Sequence, residues 1–134
     1  MIKIQINEIQ YDVPKDLTIM EACKRIGVYI PSLCYHSDVP SGGNCGLCIV
    51  KVDGSSYTHA CMMHVRPGMV INTIDKDIIE KQKNQFNNFI NISHIPKTKD
   101  IEEVIQYFHP KKIMHIRQAE KTNAITFIPN ACIN

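Results

Sequence analysis

The chain has 134 residues, 44% of them hydrophobic and 21% charged, with a formal net charge of +2. That composition is globular and sized for one domain plus an appendage. Its positive charge is too weak and too dispersed to argue for binding to nucleic acid or to a membrane surface, and no nucleic-acid partner is expected. No apolar run approaches the roughly 18 residues of a membrane span, so no transmembrane segment is expected. Met1 leads directly into an alternating stretch, with no room for the basic and apolar regions of a secretory signal. The expected compartment is therefore the cytoplasm, or an organelle matrix if a targeting segment has been removed. Under such reducing conditions the six cysteines are not expected to form a disulfide framework. Metal binding, catalysis and burial remain.

Ile2, Ile4 and Ile6 alternate with polar neighbours, and so do Ile9, Tyr11 and Val13, which predicts two half-buried strands joined at Asn7-Glu8. Glu8 is a poor residue for a two-residue hairpin turn. Thr18 and Glu21 have the spacing of a capping box. Ile19, Ala22, Cys23 and Ile26 then lie on one helical face, and Gly27 is placed to end the helix. Residues 31–48 hold three cysteines, three glycines and two prolines, with little that could form a core. Strands are predicted over 47–52 and 56–62, joined at Asp53-Gly54, and over 68–74. One helix across a small mixed sheet accommodates this order, an α+β arrangement, and gives a first domain over residues 1–75.

Residues 76–134 are expected to form a mainly helical appendage. From Asp75 to Ile90 the pattern is helical, with Ile78, Ile79, Phe86, Phe89 and Ile90 in one sector and Gln82 interrupting it. Asp100 and Glu103 cap a further helix carrying Ile101, Val104, Ile105 and Phe108. That stripe needs a cover, either the preceding helix or another chain, so docking or self-association through the 75–108 helices is expected. Residues 113–117 and 124–128 are expected to pair as strands.

Cys34, Cys45, Cys48 and Cys61 are spaced C-x10-C-x2-C-x12-C. Cys45 and Cys48 form the close pair expected to chelate one ion. Gly42, Gly43 and Gly46 let the backbone pass close to a bulky anionic group and turn its N–H groups inward. So long an irregular loop is uncommon unless functional, and metal–thiolate bonds would replace its missing core. Four thiolates suit zinc or an iron–sulfur cluster. Structural zinc sites draw on two close pairs, whereas Cys34 and Cys61 are solitary, so the spacing favours a [2Fe–2S] cluster and leaves zinc as the alternative.

The stretch TIMEACKRIGVYIPSLCYHSDVPSGGNCGLCIVKVDG, with the later HACMMHVRPGMVINT, resembles the N-terminal [2Fe–2S] domain shared by [FeFe]-hydrogenases, the large iron–sulfur subunit of respiratory complex I and NAD-linked formate dehydrogenases. The resemblance covers about residues 1–90. It implies a β-grasp fold and one [2Fe–2S] cluster ligated by Cys34, Cys45, Cys48 and Cys61, with Gly42, Gly43, Asn44 and Gly46 around it. It also implies one-electron transfer with iron–sulfur or flavin redox partners and no catalytic site of the chain's own. The charge on such a four-thiolate cluster grows more negative on reduction, so its potential should be low, on the scale of about −400 mV in plant-type ferredoxins.

Beyond residue 90 the sequence departs from that family. Many relatives continue with a His-x3-Cys-x2-Cys-x5-Cys motif for a [4Fe–4S] cluster. His94 falls where that histidine would be, but Thr98, Ile101 and Tyr107 follow at the thiol positions, and no cysteine lies between Cys61 and Cys132. Two irons and two sulfides per chain are expected, and a chain cut after Ile90 is expected to keep its cluster spectrum. The ending AITFIPNACIN resembles the opening of a further ferredoxin-like module. It fits either a piece of a longer protein or a reduced relative.

The other candidates have plainer readings. Cys23 lies on the apolar helix face and is read as a buried structural thiol. Cys132 has no partner nearby in sequence. A Rieske-type histidine ligand, His36 or His59, is unnecessary beside four cysteines, and His64, His109 and His115 are expected at the surface. The alternative function is a structural or docking subunit in which the metal site only stabilises the fold.

Overall fold

The computed structural model describes residues 1–36, 38–39, 42–92, 99–108, 120–121 and 126–127. Strands β1 (Ile2–Ile6) and β2 (Ile9–Val13) pair antiparallel with Ile6 opposite Ile9. Asn7 and Glu8 form the two-residue turn, with φ of 49° and 70°, the backbone such a hairpin needs. Asn7 anchors this turn to Thr73, 66 residues on. Its side-chain amide donates to Thr73 Oγ1 (2.8 Å) and its side-chain oxygen accepts from the Thr73 N–H (2.9 Å).

Helix α1 (Ile19–Arg25) opens on the capping box, Thr18 and Glu21 each accepting from the other's backbone N–H. At its end the Val28 N–H bonds the Cys23 carbonyl and the Gly27 N–H bonds the Lys24 carbonyl, the two bonds of a Schellman cap. Strands β3 (Ile49–Val52), β4 (Ser56–His59) and β5 (Val70–Asn72) complete a sheet of order β2-β1-β5-β3-β4. β1 and β5 run parallel and the other neighbours antiparallel. β3 and β4 are shorter than their apolar runs, because Leu47-Cys48 and Ala60-Cys61 take turn conformations at the end of the ladder. Ile19, Ala22 and Cys23 of α1 share a core with Ile4, Ile6, Val50 and Ile71. One helix crossing a mixed sheet is the β-grasp arrangement.

Helices α2 (Lys76–Ile92) and α3 (Lys99–Phe108) follow. The first turn of α2 is tied to the sheet: Lys51 Nζ reaches Asp77 Oδ2 at 2.8 Å and Asp75 Oδ2 at 3.2 Å, and the Tyr57 hydroxyl donates to Asp77. Lys51 first, and Tyr57 second, hold the Asp77 carboxyl down to about 2. A depressed carboxyl stabilises the fold above its unfolded pKa of about 3.9, and the contribution is lost as pH falls towards the folded value. D77N is therefore expected to melt below the natural chain at pH 7 and to converge with it near pH 2. Equal melting temperatures at pH 7 would remove Asp77 from the stability of the α2 junction.

Phe86 and Ile90 of α2 bury against Ile101, Val104 and Phe108 of α3, together with Cys45 and Leu47 of the cysteine loop. Leu33, Cys34, Phe89 and Ile105 pack around this second core, and Phe86 stacks on Phe108 with ring centroids 5.2 Å apart. The α3 stripe is thus covered by its own chain, which is the first of the two covers expected. It is not an open docking face. Packing also crosses the boundary expected at residue 75, because the second core joins both helices to the cysteine loop. Gln82 does not interrupt the α2 sector. It lies on the buried line of Ile78, Phe86 and Ile90 at 1% exposure.

Strands β6 (Glu120–Lys121) and β7 (Thr126–Phe127) pair antiparallel. The expected strand 124–128 contains β7, but its partner is β6, and 113–117 lies outside the described residues. His94, His109, His115 and Cys132 lie outside them too. Among the described residues no helix is long and apolar enough to cross a membrane.

Candidate metal centre

Three segments bring the cysteines together. Cys34 sits in the loop after α1, Cys45 and Cys48 lead into β3, and Cys61 follows β4. The Ala60 N–H bonds the Cys48 carbonyl at 2.9 Å, which extends the β3–β4 ladder past its last pair and sets Cys48 beside Cys61. The start of α1 grips the same turn: the N–H groups of Ile19 and Met20 bond the Met63 and Ala60 carbonyls, each at 2.8 Å. Helix N-terminal donors are thereby spent on the turn that carries Cys61.

The thiols fall into two pairs. Cys34 Sγ and Cys45 Sγ are 3.3 Å apart, and so are Cys48 Sγ and Cys61 Sγ; neither pair is a disulfide. This corrects the expectation that Cys45 and Cys48 chelate together. They are close in sequence but face different cores, Cys45 the α2–α3 core and Cys48 the sheet core with Cys61. Each finds its sulfur neighbour on a different segment. Among the described residues no three His, Cys, Asp or Glu side chains gather as a single ion would require. Two separate sulfur pairs suit a two-iron group better than a tetrahedral zinc.

Burial is deep on one side and shallower on the other. Cys45, Cys48 and Cys61 are buried and Cys34 is partly exposed. Burial pushes the Cys45 thiol up, opposed by backbone hydrogen bonds from Leu33 and Leu47. It pushes Cys48 up as well, opposed by one from Cys61. Such thiols are poor free nucleophiles, yet a bound cation removes their protons. The backbone hydrogen bonds would then stabilise the thiolates. The donor set therefore fits a [2Fe–2S] cluster. Cys23 lies in the sheet core at 0% exposure, its thiol pushed up to about 12 by burial, and is not among the pairs.

Two of the three loop glycines are required by the backbone. Gly43 and Gly46 have φ of +63° and +66°. A Cβ on Gly43 would come 2.4 Å from Met62 Sδ, and one on Gly46 would meet the Gln85 amide at 3.4 Å. Gly42 needs no such conformation, and the Asn44 side chain folds towards it, its Nδ2 lying 3.1 Å from the Cβ position. G43A is expected to destabilise the loop by about 1–2 kcal/mol through its left-handed backbone alone. The double variant G43A/M62A should recover only the part due to the clash. Full recovery of the thermal midpoint by M62A would show that the backbone is not strained.

Among the described residues the histidines stay out of the sulfur pairs. His36 is exposed, with Nδ1 accepting from the Asp38 N–H at 3.2 Å. His59 Nδ1 lies 3.7 Å from the Gly43 Cβ position, and His64 is exposed. Sequence reasoning missed Met62 over Gly43, Gln85 over Gly46 and Gln82 against β3. These contacts join elements distant in sequence, and no spacing marks them.

Residues 1–76 match the family described as "2Fe-2S iron-sulfur cluster binding domain". The chain is 36% identical over 95 residues to the mitochondrial NADH dehydrogenase [ubiquinone] iron-sulfur protein 1 of Solanum tuberosum, covering 70% of this chain and 13% of that protein. It is 32% identical over 95 residues to the NADH-ubiquinone oxidoreductase 75 kDa subunit of Reclinomonas americana, covering 70% of this chain and 14% of that protein. It thus spans only a small part of these relatives. Among solved structures, a chain of an NAD+-reducing [NiFe]-hydrogenase in the H2-reduced state superposes with a TM-score of 0.78 at 19% identity. That match covers 98% of this chain and 62% of the other and attests the shared fold. On the family match over more than half its length, the chain belongs to the 2Fe-2S iron–sulfur cluster binding domain family.

Proposed function

We propose that the chain is a one-electron transfer module of an NADH dehydrogenase- or hydrogenase-type redox system. In this reading Cys34 and Cys45 hold one iron and Cys48 and Cys61 the other. The observation that carries it is the two sulfur pairs at 3.3 Å within a chain of this family. When bound, the cluster supplies a carrier for one electron. The chain's own part is to bury Cys45, Cys48 and Cys61 and to keep the Cys34 side nearer solvent, where an iron–sulfur or flavin partner approaches. Residues 1–75 carry the four cysteines, and helices α2 and α3 cover the side that holds Cys45. The reducing conditions of the cytoplasm, or of an organelle matrix, suit thiols that must remain available as ligands.

Purified protein is expected to be red-brown, to carry two irons and two sulfides per chain, and to bleach with dithionite to a rhombic EPR signal. Colourless protein with one zinc per chain would overturn the reading. Electron passage from an NAD(P)H-dependent flavoprotein or a ferredoxin reductase separates transfer from a purely structural role. A cluster that no such reductase reduces would favour the latter.

A further inference from the structure

Strand β5 ends at Asn72 and covers β3 only at Lys51 and Val52. Backbone groups alternate sides along β3. The Cys48 carbonyl faces β4, where it accepts from the Ala60 N–H, and the Asp53 N–H faces β5, where it bonds the Val70 carbonyl. By that alternation the Ile49 carbonyl, next to Cys48, faces the β5 side beyond the last residue that β5 supplies. Gln82 of α2 fills the place of the missing strand. Its Nε2 donates to the Ile49 carbonyl at 2.9 Å.

This is an unusual use of a buried position. Gln82 is 1% exposed, and among the described residues its Oε1 has no hydrogen-bond partner. An aliphatic side chain would continue the line of Ile78, Phe86 and Ile90 without burying an unmet oxygen, which is destabilising. The donor is what the position gains. Three residues on, the Gln85 amide lies against Gly46, so two side-chain amides of α2 meet the segment from Cys45 to Ile49.

We propose that Gln82 is a positioning residue for the cluster: by fixing the Ile49 carbonyl it fixes the backbone at Cys48 and the direction of the Cys48 sulfur. The proposal rests on the electron-transfer reading above and reaches beyond residues 1–76. Groups behind a ligand orient it and tune the metal it holds. Loss of the Gln82 donor therefore changes the electronic signature of the cluster as well as its retention.

The test uses the cluster-loaded chain of 134 residues and the variants Q82M and Q82E. Methionine keeps the length and apolar fit without a donor; glutamate keeps the shape without the amide N–H. Both are expected to shift the g-values of the reduced EPR signal and the midpoint potential. Both should lose the cluster about fivefold faster under chelator challenge, the scale of one net hydrogen bond. I78V, on the same buried line, should lower the melting temperature while leaving g-values and potential unchanged. Natural g-values, potential and bleaching rate in Q82M and Q82E would overturn the proposal, as would equal spectral shifts in I78V. A natural chain without iron and sulfide would instead overturn the electron-transfer reading, so the two failures are distinguishable.

Discussion

Serine in place of Cys45, Cys48 or Cys61 is expected to abolish the [2Fe–2S] spectrum and to destabilise the fold, whereas serine at Cys34 should abolish the spectrum at a smaller structural cost. Serine is a poorer ligand for iron than a thiolate, so each change removes one of four bonds. The four positions differ in setting. Cys45, Cys48 and Cys61 are 6%, 1% and 4% exposed in the two cores, and a hydroxyl left there without a partner costs about 1–3 kcal/mol. Cys34 is partly exposed and lies at the edge of the second core, where water can reach a hydroxyl. Visible absorption, iron content and thermal melting of the four variants check both parts. C23S and C132S should keep the spectrum. Bleaching by C23S with retention by C34S would show that the ligand set is misassigned.

Ending the chain after Ile90 is expected to lower the temperature at which the visible spectrum is lost. The sequence alone suggested the opposite, a tail that could be removed without touching the cluster. Packing reverses that expectation. Ile101, Val104 and Phe108 are 8%, 0% and 5% exposed and share a core with Cys45 and Leu47. Burying each such side chain is worth about 1.5–3 kcal/mol, so truncation removes several kcal/mol from the side of the site that holds Cys34 and Cys45. Melting curves followed by visible absorbance, before and after truncation, measure the effect. Coincident curves would restore the cluster boundary near residue 75.

What the sequence disclosed follows from how local the cause is. The hairpin, the capping box at Thr18 and Glu21, and the helix end at Gly27 depend on residues within a few positions, and each lies where its pattern places it. The cysteines stand out because residues 31–48 offer few apolar side chains of their own. The pairing of the sulfurs was not legible. Cys45 and Cys48 are near neighbours in sequence, and only the two cores on either side reveal that they diverge. Gln82 was misread for a related reason. A glutamine on an apolar line looks like a defect until the strand end it completes is seen across the fold.

The parallel pairing of β1 with β5 also has a consequence for how the chain folds. That pair, sealed by the Asn7–Thr73 bond between residues 66 apart in sequence, closes a loop containing all four paired cysteines. Closing a long loop carries an entropic penalty, and sheets built on distant pairings form slowly. Each sulfur pair spans a much shorter stretch, 11 residues from Cys34 to Cys45 and 13 from Cys48 to Cys61. Iron arriving while the chain is still open would tie off these small loops first and leave less chain to gather when β5 docks. Refolding with iron and sulfide present should therefore outpace refolding without them, with the cluster acting as an assembly template before it carries its first electron.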